Sequence, residues 1–206
     1  MISPKKALIR LKEGNERFWK GKSTHPNRDA ELRSELLNEQ KPFAVVIACS
    51  DSRVPVEIIL DVGLGDLFVI RTAGQVLSRE VLGSMEYAVK KLKVKLVVIL
   101  GHDNCGAVKS ALAIYKSHKY DKLSDNLQTL LNHFFPVFEK MENLHHNTLN
   151  EAIIENINYQ IEDLKQKDAY LAAKIKKKEI MLVGAKYNLS TGKIDFYDNE
   201  EDAQSK

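Results

Sequence analysis

Five residues in two short stretches of this chain could do chemistry together. Cys49, Asp51 and Arg53 lie in Cys49-Ser50-Asp51-Ser52-Arg53, and His102 and Cys105 lie in Gly101-His102-Asp103-Asn104-Cys105-Gly106. The chain has 2 cysteines in all, and each follows an apolar run of strand length. Two thiolates and an imidazole suit zinc, a borderline-soft ion that prefers four nitrogen or sulfur donors. No third cysteine and no Cys-x-x-Cys pair are present, so the donors of a closed structural site are missing. A Cys2His set whose fourth position is left to water or a carboxylate is a catalytic pattern. Asp51 is close enough in sequence to reach that position, or Arg53 holds it in a bidentate ion pair. Each signal alone is weak, because a lone buried cysteine is usually a small hydrophobe and Asp–Arg pairs are often structural. Their conjunction is what points to a site.

The apolar pattern says which elements must position these residues. Phe43–Ala48, Leu67–Arg71 and Leu96–Leu100 are continuous apolar runs, as expected of strands buried on both faces. The periodicity predicts helices over 4–20, 106–119, 123–142 and 148–178, and a short one over 29–38. A further helix runs from Ser78 to Lys91, with Ser78 as N-cap and Glu80 in the first turn. Glu179–Ala185 and Lys193–Tyr197 read as strands joined by a hairpin through Asn188–Gly192. Strands alternating with helices predict an α/β fold: a mainly parallel sheet with an antiparallel edge hairpin, flanked by helices. Ligands of such sheets bind beyond the carboxyl ends of the strands, where both cysteines and His102 fall.

The organisation expected is one domain over residues 1–206. It comprises an N-terminal helical arm (1–40), an α/β core (41–198) and a polar tail (199–206). The arm presents Ala7, Leu8, Leu11 and Phe18 on one face, which suits packing on a partner subunit and on its own subunit equally well. The 206 residues carry 44% hydrophobic residues and a formal charge of +3. That charge is small and spread along the chain, so nothing favours nucleic acid. The apolar runs are too short for a membrane span. The charged start predicts a cytoplasmic chain without a signal peptide. His25, His118, His133, His145 and His146 read as surface or capping residues, and the Lys174–Lys178 run as a solvated helix end.

At the two motifs the chain resembles the β-class carbonic anhydrases. That family's first motif, Cys-Ser/Ala-Asp-Ser-Arg, stands here at 49–53, and its second, Gly-His-x-x-Cys-Gly, at 101–106. The likeness extends through residues 54–76 and the opening ALIRLKEGNERF. It implies Cys49, His102 and Cys105 as ligands of one zinc ion per subunit, and Asp51 with Arg53 as the catalytic dyad. It implies reversible hydration of CO2 to bicarbonate and a proton through zinc-bound hydroxide, in a homodimer or homotetramer. Gly74, Gln75 and Gly106 are the substrate-side candidates. Many members have Asn after the Ala-Gly where this chain has Gln75, and the glutamine of plant-type members is absent from residues 61–66. Members switched off by bicarbonate carry tryptophan where Val46 stands, so Asp51 is expected off the metal near neutral pH. Rival readings are a hydrolase of carbonyl sulfide or carbon disulfide on the same fold, a catalytically idle zinc-binding assembly protein, and a redox dithiol.

Overall fold

The computed structural model of the chain describes residues 2–120 and 123–197; the tail expected over 199–206 lies outside them. In chain order the elements are α1 (Pro4–Trp19), α2 (Ala30–Glu35), β1 (Ala44–Cys49), α3 (Val56–Ile59), β2 (Leu67–Thr72) and a 3-10 turn (Ala73–Gln75). There follow α4 (Arg79–Lys90), β3 (Leu96–His102), α5 (Gly106–Ser117), α6 (Asp125–Asn132) and α7 (Phe135–Asn143). The chain closes with α8 (Leu149–Lys167), α9 (Ala169–Lys176), β4 (Met181–Tyr187) and β5 (Ile194–Tyr197). The five strands form one sheet in the order β2-β1-β3-β4-β5. Every pairing is parallel except the β4–β5 hairpin, so the expected architecture is borne out.

β1 and β3 are buried along their whole length. Their side chains alternate between two cores, one on each face of the sheet. Val45, Ile47 and Cys49 join Val97 and Ile99 in the first, beneath α4, α5, α7 and α8. Ala44, Val46 and Ala48 join Leu96, Val98 and Leu100 in the second, beneath α1 and α3. The α1 residues Ala7, Leu8 and Leu11 are buried in this second core, so that face of the arm packs on its own chain. β2 departs from the expectation of a fully buried strand. It lies at the sheet edge, and most of its residues are half-buried.

Two expected helices are broken in the structure. Pro136 divides 123–142, because proline has no amide N–H to continue a helix and sits instead in the first turn of α7. Asp168 divides 148–178. It leaves helical geometry, and its carboxylate accepts from the Leu171 amide, capping α9. Ser78 caps α4 through the Val81 amide as expected. α3, which follows Pro55, gave no periodic signal at a length of 4 residues.

The arm and the loop after α3 are fastened at Asp61. This carboxylate is fully buried and accepts from Arg17 Nε at 2.6 Å, from the Thr24 and His25 amides and from the Thr24 hydroxyl. Burial alone would raise its pKa, but these donors outweigh it and bring the group to about 2. The folded value is below the unfolded one of about 3.9. The stabilisation is therefore complete above about pH 4 and is lost as pH falls through 2. Asp61→Asn is expected to lower stability by about 2 kcal/mol near neutral pH. The gap to the unsubstituted chain should close towards pH 2, as read by urea denaturation at a series of pH values.

Candidate active site

The register of β1 on β3 pairs Ala48 with Leu100. Cys49 therefore ends its strand beside Gly101, and His102 is the last residue of β3. Cys105 stands at the N-cap of α5, after a loop in which Asn104 takes a left-handed φ of 50°. The Sγ atoms of Cys49 and Cys105 and a ring nitrogen of His102 all lie within 4.8 Å of one another, and all three residues are buried. The sulfurs are 3.9 Å apart, and both cysteines are free.

The surroundings prepare these atoms as ligands. His102 Nδ1 donates to the Asp103 carbonyl at 2.8 Å, which leaves Nε2 with its lone pair free. Nε2 is buried and has no hydrogen-bond partner. The Asp103 amide bonds to the Tyr187 carbonyl, and its carboxylate accepts from the Leu189 amide, so β4 and its turn hold the loop. An orphaned imidazole nitrogen facing two thiols fits a borderline-soft ion in tetrahedral coordination. The donor set thus fits a metal ion.

The charge states of the three groups follow from crowding. The thiol of Cys105, placed to donate to Cys49, is the main cause that lowers the Cys49 pKa, against burial and with help from the Gly74 and Asp51 amides. The same hydrogen bond and burial raise Cys105, because a second negative charge beside the first is repelled. The amides of Val108 and Ala107 face the Cys105 sulfur and oppose that rise. Burial would lower His102, but the Cys49 sulfur beside it outweighs this and the net shift is upward.

Asp51 and Arg53 adjoin this group. Arg53 donates from Nε and from its amide to Asp51 Oδ1, each at 2.9 Å, and from Nη2 to Oδ2 at 2.8 Å. These bonds hold the carboxyl well below the ordinary carboxylate range, against a smaller effect of burial. Oδ2 lies 3.8 Å from His102 Nε2. Arg53 Nη2 also reaches the Asn104 carbonyl at 3.4 Å, tying the two motif loops together.

Gly74 and Gln75 border the sulfurs on the β2 side. The Gly74 amide donates to Cys49 Sγ at 3.3 Å, from a backbone at φ 68° that favours glycine. Gln75 is buried, left-handed at φ 47°, and its Oε1 has no partner. Gly106 opens α5 with empty space where a side chain would stand. Of the other histidines, His118 and His133 close helices α5 and α6.

Sequence reasoning missed Arg71 as part of this site. Its guanidinium donates to the Cys49 carbonyl at 3.0 and 2.9 Å and to the Asp51 carbonyl at 2.7 Å, clamping the loop that carries both residues. The available signal was an arginine closing an otherwise apolar strand.

Fold and site together define an α/β protein with a buried Cys2His group and an adjoining Asp–Arg pair at the carboxyl ends of parallel strands. The carbonic anhydrase family model matches residues 44–194. A carbonic anhydrase of Mycolicibacterium smegmatis is 37% identical over 94% of this chain and 93% of its own. Carbonic anhydrase 2 of Mycobacterium tuberculosis is 57% identical over 54% of each chain. Among solved structures, the β-carbonic anhydrase CafA of Aspergillus fumigatus superimposes with a TM-score of 0.69 at 28% identity, covering 98% of this chain and 95% of that one. The chain belongs to the β-carbonic anhydrase family, as its two motifs led us to expect.

The donor set predicts about one equivalent of transition metal per purified chain, measurable by plasma emission spectrometry. Cys105→Ser or His102→Ala leaves two strong donors. Either should weaken retention against a chelator on the order of 100-fold or more.

Proposed function

We propose that this chain interconverts carbon dioxide and bicarbonate, with zinc held by Cys49, His102 and Cys105. The observation that supports it most is the convergence of three buried donor atoms within 4.8 Å of one another, next to a carboxylate fixed by an arginine. A zinc ion in such a site acts as a Lewis acid and lowers the pKa of the water it binds. The chain's own residues do the rest. Asp51 stays ionised because Arg53 donates to both of its oxygens, so it accepts a hydrogen bond from the attacking water. That bond turns an oxygen lone pair towards the carbon of CO2. The new C–O bond forms as one C=O bond opens, and the proton leaves to solvent, since a carboxylate held so acidic does not retain it. Arg53 also keeps Asp51 from swinging onto the ion and closing the open position.

Gly74, Gln75 and Gly106 are the proposed substrate-side contacts. The unpaired Oε1 of Gln75 suits the O–H of bicarbonate, which CO2 lacks. Assembly as a homodimer or homotetramer is part of the same reading. It is supported by two tetrameric β-carbonic anhydrases of Sordaria macrospora, one of which aligns with a TM-score of 0.70 at 25% identity over 92% of this chain and 96% of that chain. Ile9 on α1 and Leu64, both exposed, are available for it. Two free thiols this close fit a reducing compartment such as the cytoplasm. None of the described helices is long and apolar enough to cross a membrane.

Stopped-flow CO2 hydration with a pH indicator tests the reading. Zinc-loaded protein should turn over rapidly between about pH 7 and pH 9, and Arg53→Ala should cut kcat by about 100-fold or more while keeping its zinc. Zinc-loaded protein without turnover across that range would overturn it.

A further inference from the structure

Two buried amide side chains on α8 have no evident place in an apolar interface. Asn156 is fully buried and Gln160 nearly so, among Ala152, Ile153, Ile157 and Leu164. A buried polar group costs stability unless it is paired, and here the partners lead to one point. The Leu77 amide donates to Gln160 Oε1 at 3.2 Å. Gln160 Nε2 donates to Asn156 Oδ1 at 3.1 Å. Asn156 Nδ2 donates to the Gly74 carbonyl at 3.0 Å. The Gly74 amide in turn donates to Cys49 Sγ.

This chain of bonds holds a turn that would otherwise relax. Gly74 and Gln75 are both left-handed, a conformation that is unfavourable for a residue with a side chain. Asn156 and Gln160, one helical turn apart, grip the turn from both sides, at the carbonyl of 74 and the amide of 77. The helix approaches closely because Gly101 has no side chain. A Cβ there would lie 2.7 Å from Ile157 Cδ1 and 3.1 Å from Gln75 Nε2.

We propose that Asn156 and Gln160 are positioning residues for the metal-binding sulfur of Cys49, acting through the Gly74 amide. The inference rests on the reading of Cys49 as a zinc ligand. Neither side chain touches the sulfur. They fix the direction of an N–H that does, and outer partners of this kind alter metal affinity by about 10–100-fold.

The test measures metal binding on the full chain, by chelator competition for zinc and by the thiolate-to-cobalt charge-transfer absorption of the cobalt(II) form. Asn156→Leu, close in shape, should weaken zinc about 10-fold or more and shift the cobalt band. Gln160→Met leaves the Gly74 bond in place and should produce a smaller change of the same sign, which carries the test if Asn156→Leu does not fold. Leu164→Val, on the same helix, should lower the melting temperature and leave zinc affinity within about 2-fold. Variants that lose melting temperature but keep zinc affinity and cobalt spectrum would make the two amides merely structural and overturn the inference. An unsubstituted chain that takes up no zinc would overturn the ligand reading itself, and the inference with it.

Discussion

The parallel pairing of β1 with β3 is the constraint on which the site depends. Parallel neighbours stand about 4.8 Å apart, and the register that sets Ala48 against Leu100 fixes where Cys49 and His102 end. A slip of one residue would send every side chain of a strand to the opposite face. Both strands are buried on both faces, so a slip would exchange the two cores. Apolar packing thus supplies the precision with which two candidate donor side chains meet. Cys105 needs only a short loop to join them, and Asn104 at positive φ provides the bend.

Around that pairing the chain holds loops in conformations they would not keep alone. Arg71 grips the Cys49 and Asp51 carbonyls of the loop that carries both residues. Asp103 is bonded through its amide and carboxylate to the β4 end. Asn156 and Gln160 grip the Gly74 turn. Each clamp is a side chain satisfying backbone groups that strands and helices leave free at their ends. The site lies at strand ends, where backbone groups are in surplus, and the sequence places amides and guanidinium groups there to match.

Much of this was legible in the sequence, for identifiable reasons. The apolar runs of β1 and β3 announce burial, and Cys49 and His102 are conspicuous because they end those strands, with Cys105 three residues on. The Ser78 cap was legible because capping is local. The break at Pro136 was missed because the apolar period continues through it, and the one at Asp168 because a capping aspartate looks like any exposed acid. The half-burial of β2 depends on strand order, which periodicity does not encode. Nothing in the helical pattern of 148–178 singles out Asn156 or Gln160. Only the sheet and the Gly74 turn, more than eighty positions away in sequence, show that they face inward.

Three Asp–Arg ion pairs form among the described residues, and comparing Asp61–Arg17 with Asp51–Arg53 separates stability from chemistry. At Asp61 the oxygens take four donors, from Arg17, Thr24 and His25. Its side chain is fully buried. That carboxylate fastens the arm, with three of the donors on Oδ2 and one on Oδ1. At Asp51 the donors all come from Arg53, whose side chain is 54% exposed against 16% for Asp51. An ion pair with one partner in solvent contributes little to stability, so folding does not explain why both residues stand in the motif. The geometry does. Oδ1 takes two of the bonds and Oδ2 only one, and Oδ2 is the oxygen that faces His102 Nε2. Arg53 therefore occupies the far side of the carboxylate and leaves acceptor capacity on the side of the Cys49–His102–Cys105 group. In the proposed reaction a hydrogen bond taken there orients the attacking water, whereas the Asp61 side chain is closed off from solvent.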